Sequence, residues 1–235
     1  MTEAIQSLIE TDRTATLAIN GSNSIFLDGV ASLYTGIYVW IPLALMALFL
    51  VVRNIPPRRL LLVLLMIILT VVICDQVSSG LFKPMFHRLR PTRDIEILHL
   101  VDTVNGYRGG QWGFFSGHAA NSFGLAVFYI WLVRELWFGI SVSFWATANA
   151  LVRCYLGVHF LGDVLVGTIF GALVGTILYY IYRFFTRNDR KQHMFRDYQL
   201  IYTASGFLRS DVYLFLCVLF GTFILILAGS CLVCM

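Results

Sequence analysis

Three short clusters hold the residues whose types and spacing suit chemistry. Lys83, Arg90 and Pro91 form K-x6-R-P, Phe115-Ser116-Gly117-His118 opens an apolar stretch, and Arg153, His159 and Asp163 form R-x5-H-x3-D. Lys83, Arg90 and Arg153 are fixed cations, and an arginine fork matches phosphate oxygens bidentately. Ser116 and Gly117 lead into an expected helix, whose first N–H groups and positive dipole end favour an anion. The glycine lets backbone approach a phosphate closely. His118 stands where it can give a proton to a departing oxygen. Asp163 follows His159 by four residues, one helical turn if that segment is helical. A carboxylate bonded to one imidazole nitrogen fixes the tautomer and leaves the other nitrogen free to attack. The set reads as phosphoryl transfer through a phosphohistidine, with charge clamping and neither metal nor cofactor. Metal ligation is the rival reading for two histidines and an aspartate, and three nearby cations oppose it by repelling a divalent ion. Taken singly, each cluster has a structural alternative: Lys83 and Arg90 as snorkelling interface residues, His118 as a satisfied polar group at a helix start.

The elements that must carry these clusters are set by composition. Of 235 residues, 58% are apolar and 13% charged, against roughly 25% charged in a soluble domain. That excludes a soluble enzyme and a disordered chain, and a net charge of +4 gives no support to nucleic-acid binding. An all-α integral-membrane bundle is expected, with residues 1–235 as one domain. A spanning helix needs about 20 apolar residues, and six stretches qualify: 31–52, 60–82, 116–133, 136–156, 164–182 and 212–235. Pro42 interrupts the first and Asp75 charges the second. Gly167, Gly171 and Gly175 give the fifth a small-residue ridge, which reads as close helix packing. Before the first span, Ala4, Ile5, Leu8 and Ile9 recur at helical spacing, predicting a short interfacial helix ahead of an Asn20-Gly21 turn. Acidic residues dominate that segment, so it is no signal peptide.

Six spans place both termini on one face. The opposite face holds Arg53, Arg58, Arg59, Arg134, Arg183, Arg187, Arg190, Lys191, Arg196 and Arg209, ten of the 17 basic residues. The positive-inside rule assigns those ten to the cytoplasm and both termini to the outside. All three clusters then lie at external helix ends and can converge. Cys74, Cys154, Cys217, Cys231 and Cys234 lie in or beside spans and read as small hydrophobes. A redox or zinc role for Cys231-x-x-Cys234 lacks a second pair or a nearby histidine.

The three motifs, K83-PMFHRL-R90-P91, F115-S116-G117-H118 and V152-R153-CYLGV-H159-FLG-D163, resemble the signatures of the phosphatidic acid phosphatase type 2 superfamily. The motif core spans 83–163, and the span pattern extends the likeness to most of the chain. The resemblance implies His159 as nucleophile, Asp163 as its orienting partner and His118 as general acid. It implies Lys83, Arg90, Arg153, Ser116 and Gly117 as the phosphate cradle. Two positions depart from the pattern: Phe115 stands where proline is usual, and Val152 where serine is common. The substrate implied is a membrane lipid phosphate, with undecaprenyl diphosphate and lipid A phosphate favoured over phosphatidylglycerophosphate. A phosphotransferase with a second lipid as acceptor, a lipid-phosphate transporter and a haloperoxidase are the alternatives. Beyond the lipid and the bilayer no protein partner is indicated.

Other polar residues carry less. His87, His99 and His193 are expected to be solvated or interfacial. Asp75 is either an interface residue or a partner of a motif cation. The turn-rich loop 92–113, with Asn105-Gly106 and Gly109-Gly110, is expected to cap the site.

Overall fold

A computed structural model describes residues 3–20, 22, 24–187 and 198–233. Among these residues the regular structure is helical, with two isolated β-bridges, Leu89–Trp112 and Tyr202–Leu208. Gly21, Arg190, Lys191, His193, Arg196 and Cys234 lie outside the described residues.

The chain opens with α1, Glu3–Ile19, longer than the short interfacial helix expected. It exposes Ile5 and Leu8, buries Thr16 and packs on α7 (Leu136–Tyr155) and α8 (Leu161–Thr186). Next comes α2, Ile25–Thr35, whose first turn is capped by the Ser24 hydroxyl accepting from Leu27 N–H at 3.3 Å. The expected first span, 31–52, is not one helix. The chain breaks at Gly36, makes a 3-10 turn at Ile37–Trp40 and restarts as α3, Ile41–Asn54. Pro42 explains the difference. Placed in the first turn of α3, it lacks only an N–H that would have no helical partner there. The break is pinned by the Trp40 indole N–H, which donates to the Tyr34 carbonyl at 2.7 Å.

The second membrane helix starts at Pro57 and runs as α4, Pro57–Asp75, into a wide π-helical segment, Gln76–Phe82, and then α5, Lys83–Phe86. Such insertions shift the angular phase of everything that follows. Here Ser78 becomes buried, and its hydroxyl donates to the Phe115 carbonyl at 2.8 Å. After the loop comes α6, Gly117–Val133, closed by Arg134 in the left-handed region at φ 52°. Glu135 then caps α7 by accepting from Phe138 N–H at 2.7 Å. Helix α8 is followed by the short α9, Tyr198–Ile201, and by α10, Arg209–Val233.

Four helical stretches are long and apolar enough to cross a bilayer: Ile37–Asn54, Pro57–Phe86, Leu161–Thr186 and Arg209–Leu232. The protein is an integral membrane protein. Of the six expected spans, four have a counterpart on length and composition, while α6 has 17 residues and α7 is not among them. The two exceptions pack against each other, and α6 also meets α4 and α8. Enclosed by those three helices, α6 needs neither the length nor the apolarity of a helix facing lipid, whereas α7 turns Trp137, Ile140 and Phe144 outward.

The ridge on α8 sets the closest helix pair. A Cβ at Gly167, Gly171 or Gly175 would lie 2.5 Å from the Ser116 carbonyl oxygen, 2.1 Å from that of Ala120 and 2.3 Å from that of Gly124. Only glycine permits backbone contact at that distance. Gly171→Leu is therefore expected to destabilise the bundle by about 3 kcal/mol or more, read as a lowered unfolding temperature in detergent. Gly221→Leu is the control, because nothing lies within 4 Å of a Cβ built there.

Candidate active site

The polar clusters meet where α5, α6, α7 and α8 end or begin. Ser116 is the N-cap of α6, its hydroxyl accepting from Ala119 N–H at 3.4 Å. Its backbone N–H is already committed, donating to the Asp163 carbonyl at 3.0 Å. That bond seams the start of α6 to the first turn of α8 and leaves the Gly117 N–H as the first of the helix. Ser116 retains its hydroxyl hydrogen. A Cβ on Gly117 would stand 3.9 Å from Lys83 Nζ and 3.2 Å from Ser78 Oγ, so the π segment brings Lys83 up against this turn.

Arg90 lies in the loop after α5, its Nε donating to the Trp112 carbonyl at 3.2 Å and Nη1 to the Val158 carbonyl at 3.1 Å. Gly109, at φ +63°, would put a Cβ 2.6 Å from Arg90 Nη1. The loop 92–113 thus folds beside the motif cation as expected, tied down by Thr92 Oγ1 donating to the Arg108 carbonyl at 3.0 Å. Arg153, on the last turn of α7, is 5% exposed, and its Nε has no hydrogen-bond partner. His118 lies within electrostatic reach of Arg153, His159, Lys83 and Arg90. All six charged or titratable motif residues therefore share one location.

His159 sits in the turn between α7 and α8, 2% exposed, and Asp163 in the first turn of α8 is fully buried. His159 Nδ1 lies 3.6 Å from Asp163 Oδ2. This is longer than a hydrogen bond, and Nδ1 has no other partner. Catalytic contacts of this kind commonly tighten when substrate binds. Burial holds the His159 imidazole below the usual histidine pKa, Asp163 opposes the shift, and Arg90 and Lys83 reinforce it. The surroundings thus favour the neutral ring over the imidazolium.

Sequence reasoning missed Arg88, Asp12, Thr16 and Ser78. Arg88 Nη1 donates to Asp163 Oδ1 at 2.7 Å and Nη2 to Asp12 Oδ2 at 2.6 Å, while its guanidinium lies 4.2 Å over the Phe160 ring. Arg88 falls in the spacer of the first motif and its partners are 75 and 76 residues away, so only the folded topology discloses it. The signal that remained was an Asp12, Thr16 pair one turn apart on α1. Asp75 is exposed and contributes to the field at Lys83. His87 and His99 are exposed, and His87 rests against Trp112 with ring centroids 4.7 Å apart. Phe115, at the departure from proline, is buried against Phe82 and Phe170. Cys74 and Cys154 are buried thiols.

The family model of the PAP2 superfamily matches residues 59–187, which contain all three motifs. The chain belongs to the PAP2 superfamily. A lipid A 4'-phosphatase of Bacteroides thetaiotaomicron is 39% identical over 178 residues, covering 75% of this chain and 79% of its own. A second lipid A 4'-phosphatase, from Porphyromonas gingivalis, is 34% identical over 76% of this chain and 75% of its own. Among solved structures, a transmembrane PAP2 type phosphatidylglycerolphosphate phosphatase from Bacillus subtilis superposes with a TM-score of 0.53 at 21% identity. That match covers 82% of this chain and 90% of the other, and it speaks for the fold alone. Aquifex aeolicus LpxE superposes with a TM-score of 0.51 at 26% identity, over 70% of this chain and 92% of its own. As a PAP2 superfamily member the protein is a membrane phosphatase acting on lipid phosphates.

Proposed function

We propose that this PAP2 enzyme removes a phosphate from lipid A at the external membrane face, without a metal, through a phosphohistidine on His159. The observation that carries the chemistry is the gathering of Lys83, Arg90, Arg153 and the buried His159 around His118. The choice of lipid A over undecaprenyl diphosphate rests on the two relatives that share three-quarters of the chain. Six spans, with α6 as the enclosed one, and both termini outside complete the reading, supported by the ten basic residues of the opposite loops.

In the mechanism, Lys83, Arg90 and Arg153 hold the phosphate oxygens, aided by the Ser116 hydroxyl and the Gly117 N–H. The free nitrogen of His159, Nε2, attacks phosphorus as the P–O bond to the lipid breaks. His118 gives its proton to the departing oxygen. Water then attacks the phosphohistidine, His118 takes the water's proton, and phosphate leaves with His159 restored. Asp163 faces Nδ1 and stabilises the positive charge that the ring acquires. Phosphate monoester hydrolysis is among the slowest uncatalysed reactions, and prearranged cations facing the developing charge are the principal means of accelerating it.

The test is a panel of lipid A, undecaprenyl diphosphate, phosphatidylglycerophosphate and phosphatidic acid, assayed side by side for phosphate release in detergent with chelator present. Lipid A is expected to be turned over fastest, and vanadate to inhibit as a mimic of the five-coordinate phosphorus. Activity lost with chelator and restored by a divalent metal would overturn the metal-free mechanism. A faster rate on another lipid would reassign the substrate. Phosphate appearing on a second lipid instead of in solution would make the enzyme a phosphotransferase.

A further inference from the structure

Arg88 is the cation of the motif region whose two guanidinium ends are both committed to carboxylates, so it is not part of the phosphate cradle. Its Nη1 neutralises Asp163 Oδ1 at 2.7 Å. The second oxygen, Oδ2, is thereby left to the Phe160 N–H at 3.1 Å and to His159 Nδ1 at 3.6 Å. Asp163 is fully buried, and a buried carboxylate that loses its ion-pair partner turns toward the donors that remain. The direction in which Asp163 presents Oδ2 to His159 therefore depends on Arg88.

Arg88 is in turn held by α1. Asp12 Oδ2 accepts from Nη2 at 2.6 Å while Asp12 Oδ1 accepts from Gly162 N–H at 2.7 Å. The Thr16 hydroxyl accepts from Leu161 N–H at 2.9 Å. Those are the first N–H groups of α8, which a helix cannot satisfy itself. The residue at the N-cap is Phe160, whose side chain has no acceptor. A Cβ on Gly162 would meet Asp12 Oδ2 at 2.8 Å, so the glycine is what admits Asp12 so closely. We infer that Arg88 and Asp12 are positioning residues for the His159–Asp163 pair, making α1 a working part of the reaction centre although it lies outside the 59–187 core. This rests on the proposed role of His159.

The test is steady-state hydrolysis, by the full chain in detergent, of whichever of the four panel lipids the wild type turns over fastest. Arg88→Gln is expected to lower kcat on the order of 10²-fold, as a displaced catalytic group does, with KM little changed. Its kcat/KM profile should also move. His159 is faced by Asp163 on α8, by Lys83 and Arg90, and by His118 on α6. Removing the Arg88 cation lets Asp163 favour the imidazolium, so the acid limb should shift by about one unit to higher pH. Arg88→Lys should hold the limb in place and recover part of kcat. Asp12→Asn keeps an acceptor for Gly162 N–H while discarding the charge. It should cost about tenfold alone and nothing further in the Arg88→Gln background, since coupled residues are not additive.

A change in KM alone, an unmoved acid limb in Arg88→Gln, no rescue by lysine, or full additivity would each overturn the inference. Should Arg88→Gln fail to fold, Asp12→Asn decides it through kcat at unchanged unfolding temperature. His159→Ala separates the two levels. If it is active, the proposed nucleophile is wrong; if it is inactive while Arg88 and Asp12 variants match the wild type, only the positioning role falls.

Discussion

His159→Ala is expected to abolish phosphate release, lowering kcat by at least about 10⁴-fold, as removal of a nucleophile does where the remaining site still binds substrate. The loss should fall on kcat, because the phosphate cradle of Lys83, Arg90 and Arg153 survives. Folding should survive as well, since His159 Nδ1 makes no hydrogen bond whose loss would leave a partner stranded. A complementary experiment uses His118→Ala. With an aryl phosphate as substrate the leaving group needs no proton, so attack by His159 proceeds while the water step, deprived of its base, slows. A phosphoenzyme should accumulate, labile to acid as a P–N bond is, and absent from the His118→Ala, His159→Ala double variant. Activity in His159→Ala would sink the phosphohistidine.

Arg153→Met should separate activity from stability. Arg153 is 5% exposed with Nε unpartnered, and an uncompensated buried cation is costly. Methionine keeps much of the length and flexibility without the charge. The unfolding temperature in detergent is expected to rise, by about 1–3 kcal/mol of stability. The same substitution should reduce kcat/KM by about 10²–10³-fold, the usual effect of deleting one group that meets developing charge. A stable and active Arg153→Met would show that the guanidinium does not touch the phosphate. Loss of both properties would show that the cation is needed for the fold.

Sequence alone picked out the clusters that the fold brings together, because the chemistry they suit is carried by residue type and short spacing. His159 and Asp163 are four apart, and Ser116 to His118 are consecutive. The glycine ridge at Gly167, Gly171 and Gly175 was legible too, since the period of one helical turn puts all three on one face. Three features were not. The break at Gly36 hinges on whether Pro42 lies inside a helix or in its first turn, and apolar composition is the same in both cases. The π segment at Gln76–Phe82 depends on tertiary contacts, among them the Ser78 bond to Phe115. The Asp12–Arg88–Asp163 chain joins three distant stretches, and no local pattern records which acid an arginine will find.

The bond between Asp12 and Gly162 spans 150 residues, and this gives the order of biosynthesis a meaning for function. Helix α1 is made well before its partner turn, which lies 150 residues further along the chain. Its ties to the intervening loop form independently of that turn, Arg13 to Asp94 and Asn20 to the Asp102 carbonyl. Long-range closures of this kind are late events in folding, so the start of α8 gains its Asp12 and Thr16 partners only after the intervening chain is made. On the proposed role of Arg88 and Asp12, the alignment of His159 with Asp163 waits on the docking of α1 against the start of α8.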